Sequence, residues 1–298
     1  MELWVIITLA AAGVQVWRLM LQKQLKGLGL STGGATFSRF LFAAPLALGG
    51  MLALVVWHGQ GIPAINGAFV GYAVMGGLGQ IIATVCTVAL FSERSFAVGI
   101  AFTKTETIQV ALFSTLVLGE AVSTPGMAAI VVGTIGVLML SRPANGWRSG
   151  GFFNRAMVLG VLAGALYGLA AIGYRGATLQ IDHADPLMRA VMALACATTF
   201  QAVAMSLWLL WREPGEVTRV ARTWRATAWV GVTGVLGSLG WFTAFALQNA
   251  AYVRSVGQVE LLFSILISVL VFREKTRPIE VAGMALLAAS IVLIVLYA

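Results

Sequence analysis

The chain has 298 residues, of which 59% are hydrophobic and only 10% charged, and its mean hydropathy is +0.92. A soluble domain carries about 25% charged residues, so a soluble fold is excluded and an all-α, polytopic membrane protein is expected. The net charge of +8 does not point to nucleic acid, because the basic residues sit in short segments between apolar runs, where charge sets topology.

Met1-Glu2 runs straight into an apolar segment with no basic region and no small-residue cleavage site, so residues 3–21 read as a retained span. Further spans are predicted at 33–57, 67–90, 95–118, 124–141, 156–174, 186–211, 226–248, 251–272 and 278–297. Each is near the ~20 residues needed to cross ~30 Å of hydrocarbon. Pro143, Asn145, Gly150 and Gly151 mark a linker at 142–155. It separates a first five-helix repeat, residues 1–141, from a second, residues 156–298.

The two halves are related. Phe91–Leu138 reappears, weakened, as Phe245–Val292, every match lying 154 positions on. Phe91 meets Phe245, Ala97 meets Ala251, Glu106 meets Glu260, and Leu112 meets Leu266. Ser114 meets Ser268, Leu116 meets Leu270, Val117 meets Val271, and Glu120 meets Glu274. Apolar matches are cheap in such a chain, whereas two glutamates in register are not. Five spans per half force the second half to enter the membrane in the opposite sense. The expected fold is therefore ten transmembrane helices in two inverted five-helix repeats, an arrangement that in transporters places the substrate site between the repeats.

Loop charge sets the orientation. The segments after spans 1, 3, 5, 7 and 9 hold Lys23, Lys26, Arg94, Arg142, Arg148, Arg155, Arg212, Arg219, Arg222, Arg225, Arg273, Lys275 and Arg277, and the opposite side only Arg175 and Arg254. The positive-inside rule puts the larger group in the cytoplasm and both termini outside. Trp4, Trp17, Trp57, Trp208, Trp211, Trp224 and Trp229 lie near span ends, as interfacial residues do.

Spans 4 and 9 hold the charges nearest mid-membrane. Span 4 reads Thr103-Lys104-Thr105-Glu106-Thr107-Ile108-Gln109 and span 9 reads Gly257-Gln258-Val259-Glu260. A charge at that depth costs about 2.5–3.5 kcal/mol, so such groups face a bundle interior or a watery cavity. Glu106, Gln109 and Phe113 share one helix face, and Glu260, Ser264 and Ile267 form the equivalent face of span 9. Lys104 and Glu106 are two apart and poorly placed to pair. Lys104 is better placed to reach another helix, with Glu260 as a partner. These charges either lock the bundle as a buried ion network or handle substrate or protons.

Arg18, Arg39 and Arg189 lie a few turns inside spans, where snorkelling to headgroups is expected. A cavity-mouth anion contact is the alternative for Arg39 and Arg189. Glu120 and Glu274, each shortly before a proline, are expected to cap the next helix. Trp241 stands among small residues, as packing or as cavity lining. Gly160/Gly164/Gly168 and Gly67/Gly71 form stripes that permit close helix approach, and Gly76-Gly77-Leu78-Gly79 could loosen span 3. Cys86 and Cys196 lie in apolar runs and His58 and His183 in loops, so no metal site, disulfide framework or histidine-based catalytic set is expected. No phosphate-binding loop is present, so no ATPase domain and no cofactor is expected.

Gly34-Ala35-Thr36-Phe37-Ser38-Arg39-Phe40 at the start of span 2, Leu118-Gly119-Glu120 at the end of span 4 and Phe272-Arg273-Glu274 at the end of span 9 carry a resemblance over the whole chain. They resemble the drug/metabolite transporter superfamily, EamA type, and within it the YddG-type exporters. The resemblance implies ATP-independent export of amino acids and related metabolites, with a central cavity between spans 1, 3, 4 and 6, 8, 9. Relatives have a proline in spans 4 and 9, absent here, and place both termini in the cytoplasm, against the loop charges here.

The expectation is a secondary transporter, not an enzyme, in the bacterial inner membrane. It would export amino acids or similar zwitterions by alternating access, with Lys104, Glu106, Gln109, Gln258, Glu260 and Trp241 contacting substrate. Its partners would be the small-molecule substrate and the lipid bilayer. A proton-coupled exporter of organic cations is the alternative.

Overall fold

The computed structural model describes residues 2–25, 29–59, 61–90, 102–141, 155–272 and 278–297. They form helices and no strands. The helices are α1 (Leu3–Leu25), α2 (Thr32–His58), α3 (Gly67–Leu90), α4 (Glu106–Leu118), α5 (Thr124–Leu140) and α6 (Arg155–Leu179). After them come α7 (Pro186–Arg212), α8 (Glu216–Arg222), α9 (Trp224–Leu247), α10 (Ala250–Gly257), α11 (Val259–Phe272) and α12 (Pro278–Tyr297). Six of the described helices are long and apolar enough to cross a membrane, namely α2, α3, α6, α7, α9 and α12. Shorter apolar stretches lie in α1, α4 and α5.

Two predicted spans are not continuous helices. In span 4, Phe102 and Thr103 are helical, Lys104 and Thr105 form a turn, and α4 starts at Glu106. Thr105 Oγ1 donates to the Phe102 carbonyl at 2.7 Å, giving the backbone an alternative to a helical bond. In span 9, α10 ends at Gly257, Gln258 turns, and α11 starts at Val259. Glycine, β-branched valine and threonine are weak helix formers, so both breaks fall where propensity is poorest. Lys104 and Gln258 are 154 positions apart, the same offset that separates Glu106 from Glu260.

The chain groups into two compact units. Unit 1 comprises Met1–Leu9, Gly79–Ile172 and Gln248–Ala298, and unit 2 comprises Ala10–Leu78 and Gly173–Leu247. Each draws on both halves of the sequence.

In unit 1, α5 packs along α12 and α4 against α10. A Cβ on Gly136 would come within 2.8 Å of the Gly283 carbonyl oxygen, so the α5 and α12 backbones are in direct contact. Ser290 Oγ donates to the Ala129 carbonyl at 2.6 Å across the same seam. Ser123 Oγ accepts from Gly126 N at 3.1 Å and caps α5, filling the position expected of Glu120. Gly119, at φ +68°, ends α4 in the left-handed conformation that favours glycine.

In unit 2, α2 packs against α7 and α9. The α2 N-terminus receives two carboxylates from the α7–α8 corner. Ser31 N donates to Glu216 Oε1 at 2.6 Å, and Ser31 Oγ donates to Glu213. Negative charge there complements the helix dipole. At the other end of α9, Arg175 donates to the Phe245 carbonyl and Arg189 Nη2 to the Ala246 carbonyl at 3.2 Å. These guanidiniums satisfy carbonyls that a helix C-terminus leaves open.

Several sequence expectations change. Arg189 therefore binds helix carbonyls rather than snorkelling. Arg18 is buried, and Arg39 Nη2 donates to Ser238 Oγ of α9, so neither reaches for lipid headgroups. Trp4 is buried, whereas Trp17, Trp57, Trp208, Trp211, Trp224 and Trp229 are exposed, as a belt requires. Gly67 and Gly71 face open space, not a helix neighbour. The glycines around Leu78 do not interrupt α3; Gly77 meets Phe200, and Gly79 meets the Leu166 carbonyl oxygen at 2.9 Å from its added Cβ. Glu274, the Phe91 and Ala97 matches, most of the 142–155 linker and the basic residues Lys26, Arg94, Arg142, Arg148, Arg273, Lys275 and Arg277 lie outside the described residues.

Gly136→Val places branched carbon into a backbone contact and should destabilise the protein by about 1–3 kcal/mol. Thermal unfolding in detergent checks it, with Gly67→Val, at an open site, expected to change little.

Candidate functional site

The two broken spans meet in unit 1. Lys104 Nζ lies 2.6 Å from Glu260 Oε1, and Arg254 Nε lies 2.6 Å from Glu106 Oε1. Further along, Ser114 Oγ donates to Asn249 Oδ1 at 3.0 Å. Partner numbers fall as residue numbers rise, so the two spans run antiparallel. The contacts closest to the breaks are the two ion pairs, each joining one span to the other.

Helix ends explain the arrangement. Glu106 sits in the first turn of α4 and Glu260 in the first turn of α11. Arg254 sits in the last turn of α10, and Lys104 follows the helical residues Phe102 and Thr103. Carboxylates belong at helix N-termini and cations at C-termini. Each break exposes one end of each kind, and the opposite span supplies the counter-charge. The side chains are mostly enclosed: Lys104 and Glu260 retain 17% and 13% of their surface, Arg254 and Glu106 18% and 6%.

Helix α6 covers the span 4 break. A Cβ on Gly164 would lie 2.8 Å from the Thr103 carbonyl oxygen and 3.2 Å from Gln109 Oε1. One turn on, Gly168 meets Val110 and Phe113. Gly164 and Gly168 thus seat α6 on the Glu106/Gln109/Phe113 face, the kind of close approach expected of the Gly160/Gly164/Gly168 stripe. Tyr167 lies between those glycines, and its hydroxyl is 3.4 Å from Thr84 Oγ1.

Five of the six expected site residues lie at these breaks. Lys104 and Glu260 form the pair anticipated between helices. Gln109 Nε2 donates to Thr105 Oγ1 at 3.3 Å. Gln109 Oε1 and Gln258 Oε1 are buried acceptors with no hydrogen-bond partner among the described residues, so both can receive a donor. Trp241 belongs to unit 2; its indole Nε1 donates to Gln15 Oε1 at 3.1 Å and its ring lies over Phe245. The side chains of Ser264 and Ile267 are outside the described residues.

Arg254 was missed. Loop counting assigned it to the outer surface, whereas it lies inside helical span 9 and holds Glu106. The available signal was its spacing: Arg254 precedes Gln258 by four, one helical turn, and so shares its face. Among the described residues no group of three or more histidines, cysteines or acids is placed to hold a metal ion.

Glu106→Gln removes the carboxylate that Arg254 binds at 2.6 Å in a site built for a pair. Breaking a buried pair this way costs about 3–5 kcal/mol, whereas replacing both partners with neutral groups costs far less. The double variant Glu106→Gln/Arg254→Gln should therefore recover much of the thermal stability lost in Glu106→Gln, a coupling read directly from a double-mutant cycle.

Residues 154–296 match the EamA-like transporter family. No curated protein matches the chain. Among 29 matching chains of solved structures, one described only as a protein crystal structure superposes with a TM-score of 0.71, covering 98% of this chain and 96% of its own at 14% identity. That likeness establishes a shared fold and nothing about activity. The match over the second half of the chain makes that half similar to EamA-like transporters and supports a likeness to the drug/metabolite transporter superfamily of multi-pass membrane proteins.

Proposed function

We propose that the chain is a secondary transporter that exports amino acids or related small zwitterions across the bacterial inner membrane by alternating access of two inverted repeats. One observation carries this reading. The Lys104–Glu260 pair, 2.6 Å apart, spans two helix breaks at corresponding repeat positions. Half-helix ends near mid-membrane are a recurrent way of building transporter sites.

The chemistry favours a zwitterion. An ion pair can open to admit a ligand that carries one charge of each sign. The ligand ammonium replaces Lys104 at Glu260, and its carboxylate replaces Glu260 at Lys104. Net charge in the site is unchanged, so no uncompensated charge is left in low dielectric. The Gln109 and Gln258 amide oxygens are acceptors available to the ammonium. A lone organic cation would displace Lys104 from Glu260 and then be repelled by it. The proton-coupled cation reading is weaker for that reason. Trp241 is set aside from this charge exchange, because it is already bonded to Gln15 within unit 2.

Transport in proteoliposomes tests the reading with a panel of amino acids, their amides and organic cations. Lys104→Met should abolish transport of carboxylate-bearing substrates while sparing their amides. Glu260→Gln should weaken apparent affinity and shift preference toward less positive compounds, and an imposed proton gradient should have little effect. Strict dependence on a proton gradient, lost in Glu260→Gln or Glu106→Gln, would instead establish the cation exporter. Amino-acid transport unchanged by all three substitutions would sink the site. For topology, a C-terminal reporter active only in the cytoplasm should stay dark if both termini face outward.

A further inference from the structure

The corner of unit 2 that joins α7 to α9 through the short helix α8 is rich in cations. Residues 205–230 carry Arg212, Arg219, Arg222 and Arg225 against Glu213 and Glu216. Both glutamates are already committed. Glu216 accepts from Ser31 N at the start of α2 and from Arg219 Nη1 at 2.7 Å, and Glu213 accepts from Ser31 Oγ. Arg212 lies over the Trp211 ring, 4.8 Å from its centroid. Arg222 and Arg225 are exposed, and neither meets a carboxylate among the described residues.

These two arginines line one cavity. Its volume is about 480 Å³, and Thr223, Trp224 and Ala226 complete the wall. That volume falls within the ~300–1,000 Å³ typical of small-ligand sites. The Thr223 hydroxyl donates to the Arg219 and Val220 carbonyls at 3.0 and 3.1 Å, so its hydrogen is already used. The guanidiniums therefore supply the charged donors. The Arg225 guanidinium lies 5.8 Å from the centroid of the Trp224 ring, which holds the cation at the wall.

The position of the cavity says which anion reaches it. Helix α7 ends at Arg212 and α9 starts at Trp224, and both are long and apolar enough to cross a membrane. The segment between them therefore lies at a membrane surface. Trp208 and Trp211 near the end of α7, and Trp224 and Trp229 near the start of α9, are exposed. Indoles in such places sit at headgroup level. There, lipid phosphate is the anion next to the protein, and each guanidinium offers it a rigid fork of N–H groups. We infer that the α8–α9 corner binds the phosphate of an anionic lipid headgroup, held by Arg222 and Arg225 beside the Trp224 ring. The site shares no residue with the Lys104–Glu260 pair, and its test uses no transport.

The test follows the thermal unfolding midpoint of the detergent-purified full-length protein in mixed micelles. Phosphatidylglycerol replaces phosphatidylcholine stepwise at fixed ionic strength. Binding to the folded state should raise the midpoint saturably. Arg222→Gln and Arg225→Gln should each weaken the apparent affinity about fivefold, and the double variant about twentyfold or more. Arg212→Gln removes the same charge from outside the cavity and should weaken it less than about twofold, because exposed charges at a distance are screened. All these side chains are exposed, so the variants should match the wild type in phosphatidylcholine alone. If the double variant does not fold, the two single ones decide the matter.

The proposal is overturned if phosphatidylglycerol gives the wild type no saturable stabilisation. It is equally overturned if Arg212→Gln weakens the response as much as Arg222→Gln and Arg225→Gln do, which would reduce the effect to diffuse surface charge. Inorganic phosphate that protects as well as phosphatidylglycerol, with both responses lost in Arg222→Gln, would assign the cavity to a soluble anion instead and overturn the lipid reading.

Discussion

A charged side chain at bilayer depth costs about 2.5–3.5 kcal/mol, and an open backbone group there costs several more. A membrane helix that breaks mid-span incurs both costs at once. Here each break exposes a helix N-terminus and a helix C-terminus, and the sequence supplies a carboxylate for the first and a cation for the second. Glu106, Glu260, Lys104 and Arg254 are thus both the cost of the breaks and their compensation. Exchanging the cations between spans, Lys104 to Glu260 and Arg254 to Glu106, turns two local defects into one crossing.

The packing of unit 1 follows from protecting that crossing. Helix α6 can lie on the Thr103 carbonyl only because residue 164 has no side chain. The α5–α12 seam is closed by Gly136 and Gly283 and crossed by the Ser290 hydrogen bond, while Thr107 and Thr134, 3.0 Å apart, join α4 to α5. Close backbone contact and satisfied hydroxyls hold these helices together. Unit 2 solves its helix ends differently. Glu213 and Glu216 reach the α2 N-terminus, and Arg175 and Arg189 hold the α9 carbonyls. Charge is used at helix ends in both units, and only in unit 1 do the ends lie in the middle of predicted spans.

Composition and periodicity determined the membrane class and the positions of the long apolar helices, because twenty apolar residues in a row have few other uses. Register matching also singled out Glu106 and Glu260, since charged matches are rare enough in an apolar chain to carry information. The pairing of Lys104 with Glu260 was legible for the same reason: a buried lysine needs a carboxylate, and few were available. Arg254 was not legible, because loop counting treats any charge near a span end as solvated. Whether it turns inward depends on the neighbouring helix, which sequence spacing alone does not place. The breaks at Lys104–Thr105 and at Gln258 were hidden similarly. Threonine, glycine and valine lower helix propensity without forbidding helix, so only the counter-charges and the cover of α6 made a broken backbone tolerable. Trp4, the Gly67/Gly71 stripe and the inward turn of Arg18 and Arg39 went the same way. The sequence by itself determined which residues could afford to be in the membrane, and the tertiary structure decided which of them face one another, because in a low-dielectric interior the partner sets the energy of a charge.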